Sequence, residues 1–444
     1  MTVSRRGVLG ASAAGLGIVL TGSVGSVFGG TANATGFGQG HGSKFTGYGD
    51  LIPDPAGIAD LPRGFRYKVL STKGEKLSDG GTVPAGHDGM AAFDAGHNTA
   101  LVRNHELTHD ASFPVPHNAK ITYDPGADGG TTTLVVRGDK LISHVPSLSG
   151  TVRNCAGGFT PWGTWLTCEE TELTPAQDAA LTKRHGYVFE VDPFNRLRDN
   201  EPVPLKALGR FAHEATAIDP RTGVVYLTED AGSPDGLFYR FLPNRPKGGP
   251  GSLRAGGKLQ ALYAGGLANL GPVTEIGTKL KATWVDVPDP DATTTSVRKQ
   301  FAAGAVSGIP KCEGTYYSDG YIYVVSSYAG GRDANGNHSL HEGQVWRYEP
   351  KRDTFELVLR FAPDSEFDGP DNIALSSWGR IVLCEDGDDE NYLVVVGDDN
   401  KPYKLARSVS TSEWAGATFS PNGKWLYANI QGDGRTLAIT GPWR

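Results

Sequence analysis

Six stretches of this chain share one pattern, and that repetition limits the possible folds more than any other feature. Each has a polar or acidic opening, a short strand, a turn carrying Asp, Asn or Gly, and a hydrophobic strand ending in acid, amide or serine. The copies are HDGMAAFDAGHNTALVRNHE from His87, NCAGGFTPWGTWLTCEE from Asn154, HEATAIDPRTGVVYLTED from His213, CEGTYYSDGYIYVVSS from Cys312, PDNIALSSWGRIVLCED from Pro370 and AGATFSPNGKWLYANIQ from Ala415. Several are followed by strands with alternating aromatics, YVFEVDP at Tyr187, LFYRFLP at Leu237, VWRYEP at Val345 and TLAITGP at Thr436. Period-two alternation bounded by Gly, Pro and Asp is the strand signature. Hairpins repeated in this way predict an all-β fold, a six-bladed β-propeller with inserted loops and short helices. A pair of β-sandwiches is the competing architecture, which the repeat count disfavours. A strand near Phe65–Leu70 is expected to join RTLAITGPW at the C-terminus and close the ring. Of the inserts, Thr171–His185 reads as a loop with a short helix, Thr174 capping it and Pro175 in its first turn. Leu242–Gly308, rich in Gly, Pro, Asp and Thr, reads as a long loop.

Ahead of the repeats, MTVSRRGVLGASAAGLGIVLTG carries Ser4, Arg5, Arg6, Val8 and Leu9 before a Gly/Ala-rich apolar run, the pattern of a twin-arginine export signal. Cleavage is expected after Ala34, giving a signal over residues 1–34 and a single propeller domain over 35–444. The mature protein is therefore expected outside the cytoplasm, with no membrane span, and as a monomer. A net charge of -7 without a Lys/Arg block argues against a nucleic-acid surface.

In a propeller the first strand of each copy lines the central channel, so residues far apart in sequence converge on one axis. The openings would contribute Asp88, Cys155, Glu214, Glu313 and Asp371. The strand ends would contribute Glu106, Glu169, Glu170, Glu229, Asp230, Glu385 and Asp386. Such a crowd of carboxylates is unfavourable unless cations balance it. Oxygen ligands suit calcium, and a Cys155 thiolate would bring a softer transition metal, iron or zinc. The candidate ligands are Cys155, Glu169, Glu170, Glu214, Glu313, Asp371, Glu106 and Glu385. Plainer readings stand beside these: single acids in hairpin turns are often only turn formers, and Cys155, Cys168, Cys312 and Cys384 could form two disulfides or pack as small hydrophobes. His87, His105 and His213 fit better as hydrogen-bond partners of ligands than as ligands.

The segments SDGGTVPAGHDGMAAF, LVRNHE, GTVRNCAGGFTPWGTWLTCEE, GRFAHEATA, KCEG and GPDNIALSSWGRIVLCEDG, together with the export signal, resemble the PhoX family of alkaline phosphatases from about Gly47 to the C-terminus. That resemblance implies a propeller whose channel holds iron and calcium and hydrolyses a small phosphoester substrate, a phosphate monoester. It also implies that Cys155 is an iron ligand and that Glu170, Glu214, Glu313 and Asp371 are metal ligands. Where the family often has arginine two residues before the KCEG glutamate, this chain has Lys311, a point charge without the bidentate fork. Lys311, Asn104 and Arg153 are the residues expected to steady the substrate anion. There is no GxSxG elbow, HExxH or Walker loop. The rival functions are a calcium-dependent propeller hydrolase such as a lactonase, and a non-catalytic calcium-stabilised binding propeller.

Overall fold

The computed structural model describes residues 44–197, 202–329, 342–387, 389–410 and 412–444, all within one unit, Gly38–Arg444. The export signal expected over residues 1–34 lies outside the described residues. Six inner strands begin the repeats: His87–Ala95, Asn154–Phe159, His213–Ile218, Cys312–Ser318, Pro370–Leu375 and Trp414–Phe419. Each packs beside the next, and the last returns to the first. Antiparallel partners build outward from every one of them, giving an all-β, propeller-like ring rather than paired sandwiches. Hydrogen bonding divides the described strands into five sheets. Two neighbouring sets fuse because outer strands Lys279–Asp286 and Thr354–Arg360 pair, Lys279 opposite Glu356.

Ring closure is as the sequence suggests, with Arg66–Thr72 paired antiparallel to Arg435–Thr440. Arg103, fully buried, reinforces it through Thr436 Oγ1 (2.6 Å) and Ser71 Oγ (3.3 Å). Between sheets, residues such as Leu166, Phe211, Tyr239 and Phe241 form a continuous core. Each such side chain contributes about 1.5–3 kcal/mol on burial.

Three expectations change. Leu242–Gly308 is not one long loop, for Gly257–Ala264 and Lys279–Asp286 are strands within it, and its glycines and prolines sit in the turns between. The helix expected after Thr174 is a single turn: the Gln177 and Asp178 amides both reach the Thr174 carbonyl, and the pattern stops. The Thr182 and Lys183 amides are taken instead by Asp124, at 2.7 Å each, and cannot enter a helical ladder. The helices among the described residues are short 3-10 pieces, Lys206–Leu208, Ser252–Ala255 and Val297–Lys299. The four cysteines form no disulfide; all are free and buried.

Two backbone features recur around the ring and position the site. Every inner strand carries one extra residue relative to its partner near its start: His87 and Met90 oppose His105 and Arg103, and the same break follows Asn154, His213, Cys312, Pro370 and Ala415. A bulge of this kind re-aims side chains. Close approach of inner strands is needed here, since a Cβ on Gly158 would lie 1.9 Å from the Thr216 carbonyl oxygen. The amide ending each second strand bonds the carbonyl just before its inner strand: Glu106 to Gly86, Glu170 to Arg153, Asp230 to Ala212, Ser327 to Lys311, Asp386 to Gly369 and Gln431 to Glu413.

Candidate metal centre

The second strand of each hairpin ends in two residues, and strand alternation sends them opposite ways. The first of each pair faces its own sheet. Glu169 accepts the amides of Val152 (2.9 Å), Gly186 (2.8 Å) and Tyr187 (3.0 Å) and pairs with His185 Nδ1 (2.6 Å). Glu229 accepts Tyr239 Oη (2.5 Å) and Arg298 Nη1 (2.9 Å), and Glu385 accepts the amides of Tyr392 (2.9 Å) and Asp368 (3.2 Å). The second of each pair, Glu106, Glu170, Asp230, Ser327, Asp386 and Gln431, reaches the ring mouth. There it meets the acids presented by the bulges.

At the mouth, two groups of ligand atoms lie within 4.8 Å of one another: Cys155, Glu170 and Glu214, and Glu214, Glu313 and Asp371. Glu214 belongs to both. Its carboxyl is pushed well above the usual range by burial, then by the facing Asp371 and Glu313. Asp371 is raised by burial and Glu313, and Glu170 by burial and Asp230, against the opposing pull of Arg153. Burial and Asp230 lift Glu313 to about 7, while burial and Glu106 lift Asp88 to about 8. The Cys155 thiol is pushed far up by burial and Glu214; its Sγ lies 3.3 Å from the His213 carbonyl oxygen. One oxygen each of Asp230 and Asp371 is buried without a hydrogen-bond partner.

Cations are few. Arg153 joins Glu106 (2.9 Å) to Glu170 (2.5 Å), and Lys311 contacts Asp230 and Glu313 (3.3 Å). Burial disfavours the Lys311 charge, but Glu313 and Asp230 outweigh it and raise its pKa. Both residues have φ in the left-handed region, +50° and +47°, at positions where the ring elsewhere uses Gly86 and Gly369. Side chains rarely adopt that conformation, and it accumulates at functional sites. Mixed carboxylate and thiolate donors, a surplus of acid over base and unpartnered oxygens fit calcium together with a thiophilic metal.

Of the expected ligands, the structure brings together Cys155, Glu170, Glu214, Glu313 and Asp371. Glu106 stands at the mouth on Arg153. Glu169 and Glu385 lie outside the cluster, their oxygens taken up by the amides of Val152, Gly186 and Tyr187 with His185, and by those of Tyr392 and Asp368. Among the expected anion-steadying residues, Lys311 and Arg153 are at the mouth. Asn104 is not available to an anion: its amide donates to the carbonyls of Cys155 (2.9 Å) and Ala156 (2.7 Å) and accepts from Trp165 Nε1 (2.8 Å) and Thr167 Oγ1 (2.9 Å). It positions the Cys155 bulge instead.

Two mouth residues escaped the sequence reading. Glu413, raised to about 11 by burial and by Asp386, holds the backbone position of Arg153 and Lys311. Counting the sixth copy from Ala415 hid it. Gln431 donates to Asp88 and Glu106 at 2.8 Å each, standing where other copies place an acid.

The family model described as alkaline phosphatase PhoX matches residues 46–145 and 138–434. No curated protein sequence matches the chain. Among solved structures, PhoX of Pseudomonas fluorescens in complex with vanadate, a transition-state analogue, is similar at 19% identity and a TM-score of 0.68, over 86% of this chain and 96% of that one. A gluconolactonase of Xanthomonas campestris aligns at 13% identity and a TM-score of 0.42, over 90% of this chain and all of that one.

Proposed function

The chain belongs to the PhoX family of alkaline phosphatases, and from that premise we propose that its ring mouth hydrolyses phosphate monoesters with calcium and iron held by Cys155, Glu170, Glu214, Glu313 and Asp371. The observation that carries this reading is Glu214, one carboxylate within 4.8 Å of two separate donor groups. Metals bound there would supply Lewis acidity toward the phosphoryl oxygens. The protein's own residues supply the rest. Glu214 ties the two groups into one centre, and the Asn104 amide fixes the backbone that presents Cys155. Lys311, pinned by Asp230 and Glu313, sets one positive charge at the rim, and Arg153 offers the planar fork that lysine lacks.

The cycle of inner strands is read as six blades, two of them bridged through Lys279–Asp286. Residues 1–34 act as a twin-arginine signal, and 35–444 form one propeller domain that works outside the cytoplasm as a monomer. No helix among the described residues is long and apolar enough to cross a membrane.

Protein made through its native export route is expected to contain calcium and near-stoichiometric iron and to cleave p-nitrophenyl phosphate. Cys155→Ser is expected to lose the iron and most turnover while retaining calcium. Full turnover in Cys155→Ser with calcium alone would reject the iron site, and no turnover on a panel of phosphoesters under any metal regime would reject the phosphatase reading.

A further inference from the structure

The face away from the acidic mouth carries a second polar site. Strand register fixes the side. Asn154 pairs with Glu169 at the mouth, whereas Phe159, Trp165 and Val191 align at the far end. In the next set His213 pairs with Glu229 at the mouth, and Ile218, Val225 and Phe241 align at the far end. The segments that follow, 192–197 and 244–256, therefore meet on the far face. Between them is an open pocket of roughly 290 Å³ lined by Arg196, Arg245, Gly248, Gly251, Ser252 and Arg254.

Its wall is built rather than incidental. Arg196 is locked by Asp192 (Nη2 to Oδ1, 2.9 Å) and by the carbonyls of Trp162 (3.0 Å) and Gly163 (2.6 Å). Glu190, the other acid near it among the described residues, is consumed by Gly251 N (2.9 Å), Trp162 Nε1 (2.7 Å) and Thr164 Oγ1 (2.7 Å). The Arg245 and Arg254 guanidiniums are thus left exposed and without an ion pair among the described residues. Ser252 lines the same pocket at 3% exposure, and its Oγ has no hydrogen-bond partner. A buried hydroxyl without a partner costs about 1–3 kcal/mol, which a ligand oxygen would recover.

We propose that this pocket binds a phosphate-type oxyanion carrying at least two negative charges, gripped by the forks of Arg245 and Arg254 and by the Ser252 hydroxyl. Two unpaired guanidiniums match a dianion, and planar forks suit its tetrahedral oxygens. The site stands on its own residues and does not depend on the chemistry at the mouth.

The test is calorimetric titration of the metal-loaded protein with inorganic pyrophosphate. The wild type should show a class of sites that Arg245→Gln/Arg254→Gln weakens at least about tenfold, with p-nitrophenyl phosphate turnover unchanged. Ser252→Ala should weaken the same class about tenfold, which a diffuse positive field would not register. Dimethyl phosphate, a monoanion, should bind at least about tenfold more weakly than pyrophosphate. Equal melting temperatures of the variants and the wild type exclude unfolding as the cause. Binding unchanged in the double variant overturns the site. So does binding indifferent to Ser252→Ala but abolished by about 150 mM chloride, which marks electrostatic attraction only.

Discussion

Glu169 and Glu170 are adjacent and identical in type, the first fully buried and the second partly so, and their surroundings are opposite. Glu169 faces its own sheet, where three amides and His185 supply donors for both oxygens. Glu170 faces the mouth, where burial and Asp230 push its carboxyl up and Arg153 alone opposes them. Glu229 and Asp230 repeat the contrast one sheet further on, the first held by Tyr239 and Arg298, the second with a bare buried oxygen. The first carboxylate of each pair is thus satisfied by donors of the fold, whereas among those turned to the channel Asp230 and Asp371 each keep a buried oxygen without a partner.

The largest effects should separate these two populations. Glu214→Gln removes the shared ligand and is expected to cut phosphatase turnover at least about 10³-fold, the scale of losing a key electrostatic stabiliser. In chelated protein the same change should raise the melting temperature, because folding no longer has to put a proton on a carboxyl that burial, Asp371 and Glu313 hold well above its usual range. Glu169→Ala should behave in the reverse way, costing about 3–5 kcal/mol of stability with or without metal by stranding buried donors and His185. Thermal melts of both variants, each with calcium and with chelator, measure the contrast. A Glu214→Gln protein that melts lower than wild type under chelation would show that the mouth acids are internally balanced.

A smaller, graded effect follows from pH. In chelated protein Glu313 titrates at about 7 and Asp88 at about 8, above the values near 4 of an unfolded chain. The native state therefore holds more protons than the unfolded state between about pH 4 and 8. Stability is greatest at the acidic end of that window and falls as pH rises through it. Calcium should flatten the fall, because a bound cation takes the place of those protons. Glu229, raised to about 7 by burial against the pull of Arg298, keeps its share of the slope in both states. The difference between the calcium and chelator curves therefore isolates the mouth. Identical curves would contradict cation binding there.

How far the sequence revealed this arrangement depends on which physical rule each part obeys. Strand alternation and turn residues are local, so the hairpins and the propeller-like ring could be read directly, as could the convergence of Cys155, Glu214, Glu313 and Asp371 from equivalent openings. Choosing between the glutamates of a pair was not possible by composition, since Glu169 and Glu170 differ only in which face of the strand they occupy. That face depends on register, and register depends on the bulge that follows Asn154. Asn104 looked free because its four partners come from Cys155, Ala156, Trp165 and Thr167, more than fifty residues away. The strands inside Leu242–Gly308 were masked by the glycines and prolines of the turns between them. Glu413 was lost through a repeat boundary set two residues late.

The smallest predicted effect uses the one strand end that departs from the acid pattern through an amide. Gln431 sits between Asp88 and Glu106 and donates to both at 2.8 Å, so the last copy contributes a neutral donor where Glu170, Asp230 and Asp386 contribute charge. Gln431→Glu keeps the shape, replaces two hydrogen bonds with repulsion and adds one more carboxylate to the mouth. The chelated variant should melt a few degrees below wild type, in line with a loss of about 1–3 kcal/mol, while the calcium-loaded variant should melt within a degree or so of it. Turnover should stay within about threefold, because neither donor group around Glu214 includes Gln431. If the chelated variant melts with wild type, the carboxylate has found a proton or an arginine nearby, and the division between satisfied sheet-facing acids and cation-dependent channel acids fails at this position. If instead the gap between calcium and chelator widens, the added charge has joined the channel population, which is what its place on the strand requires.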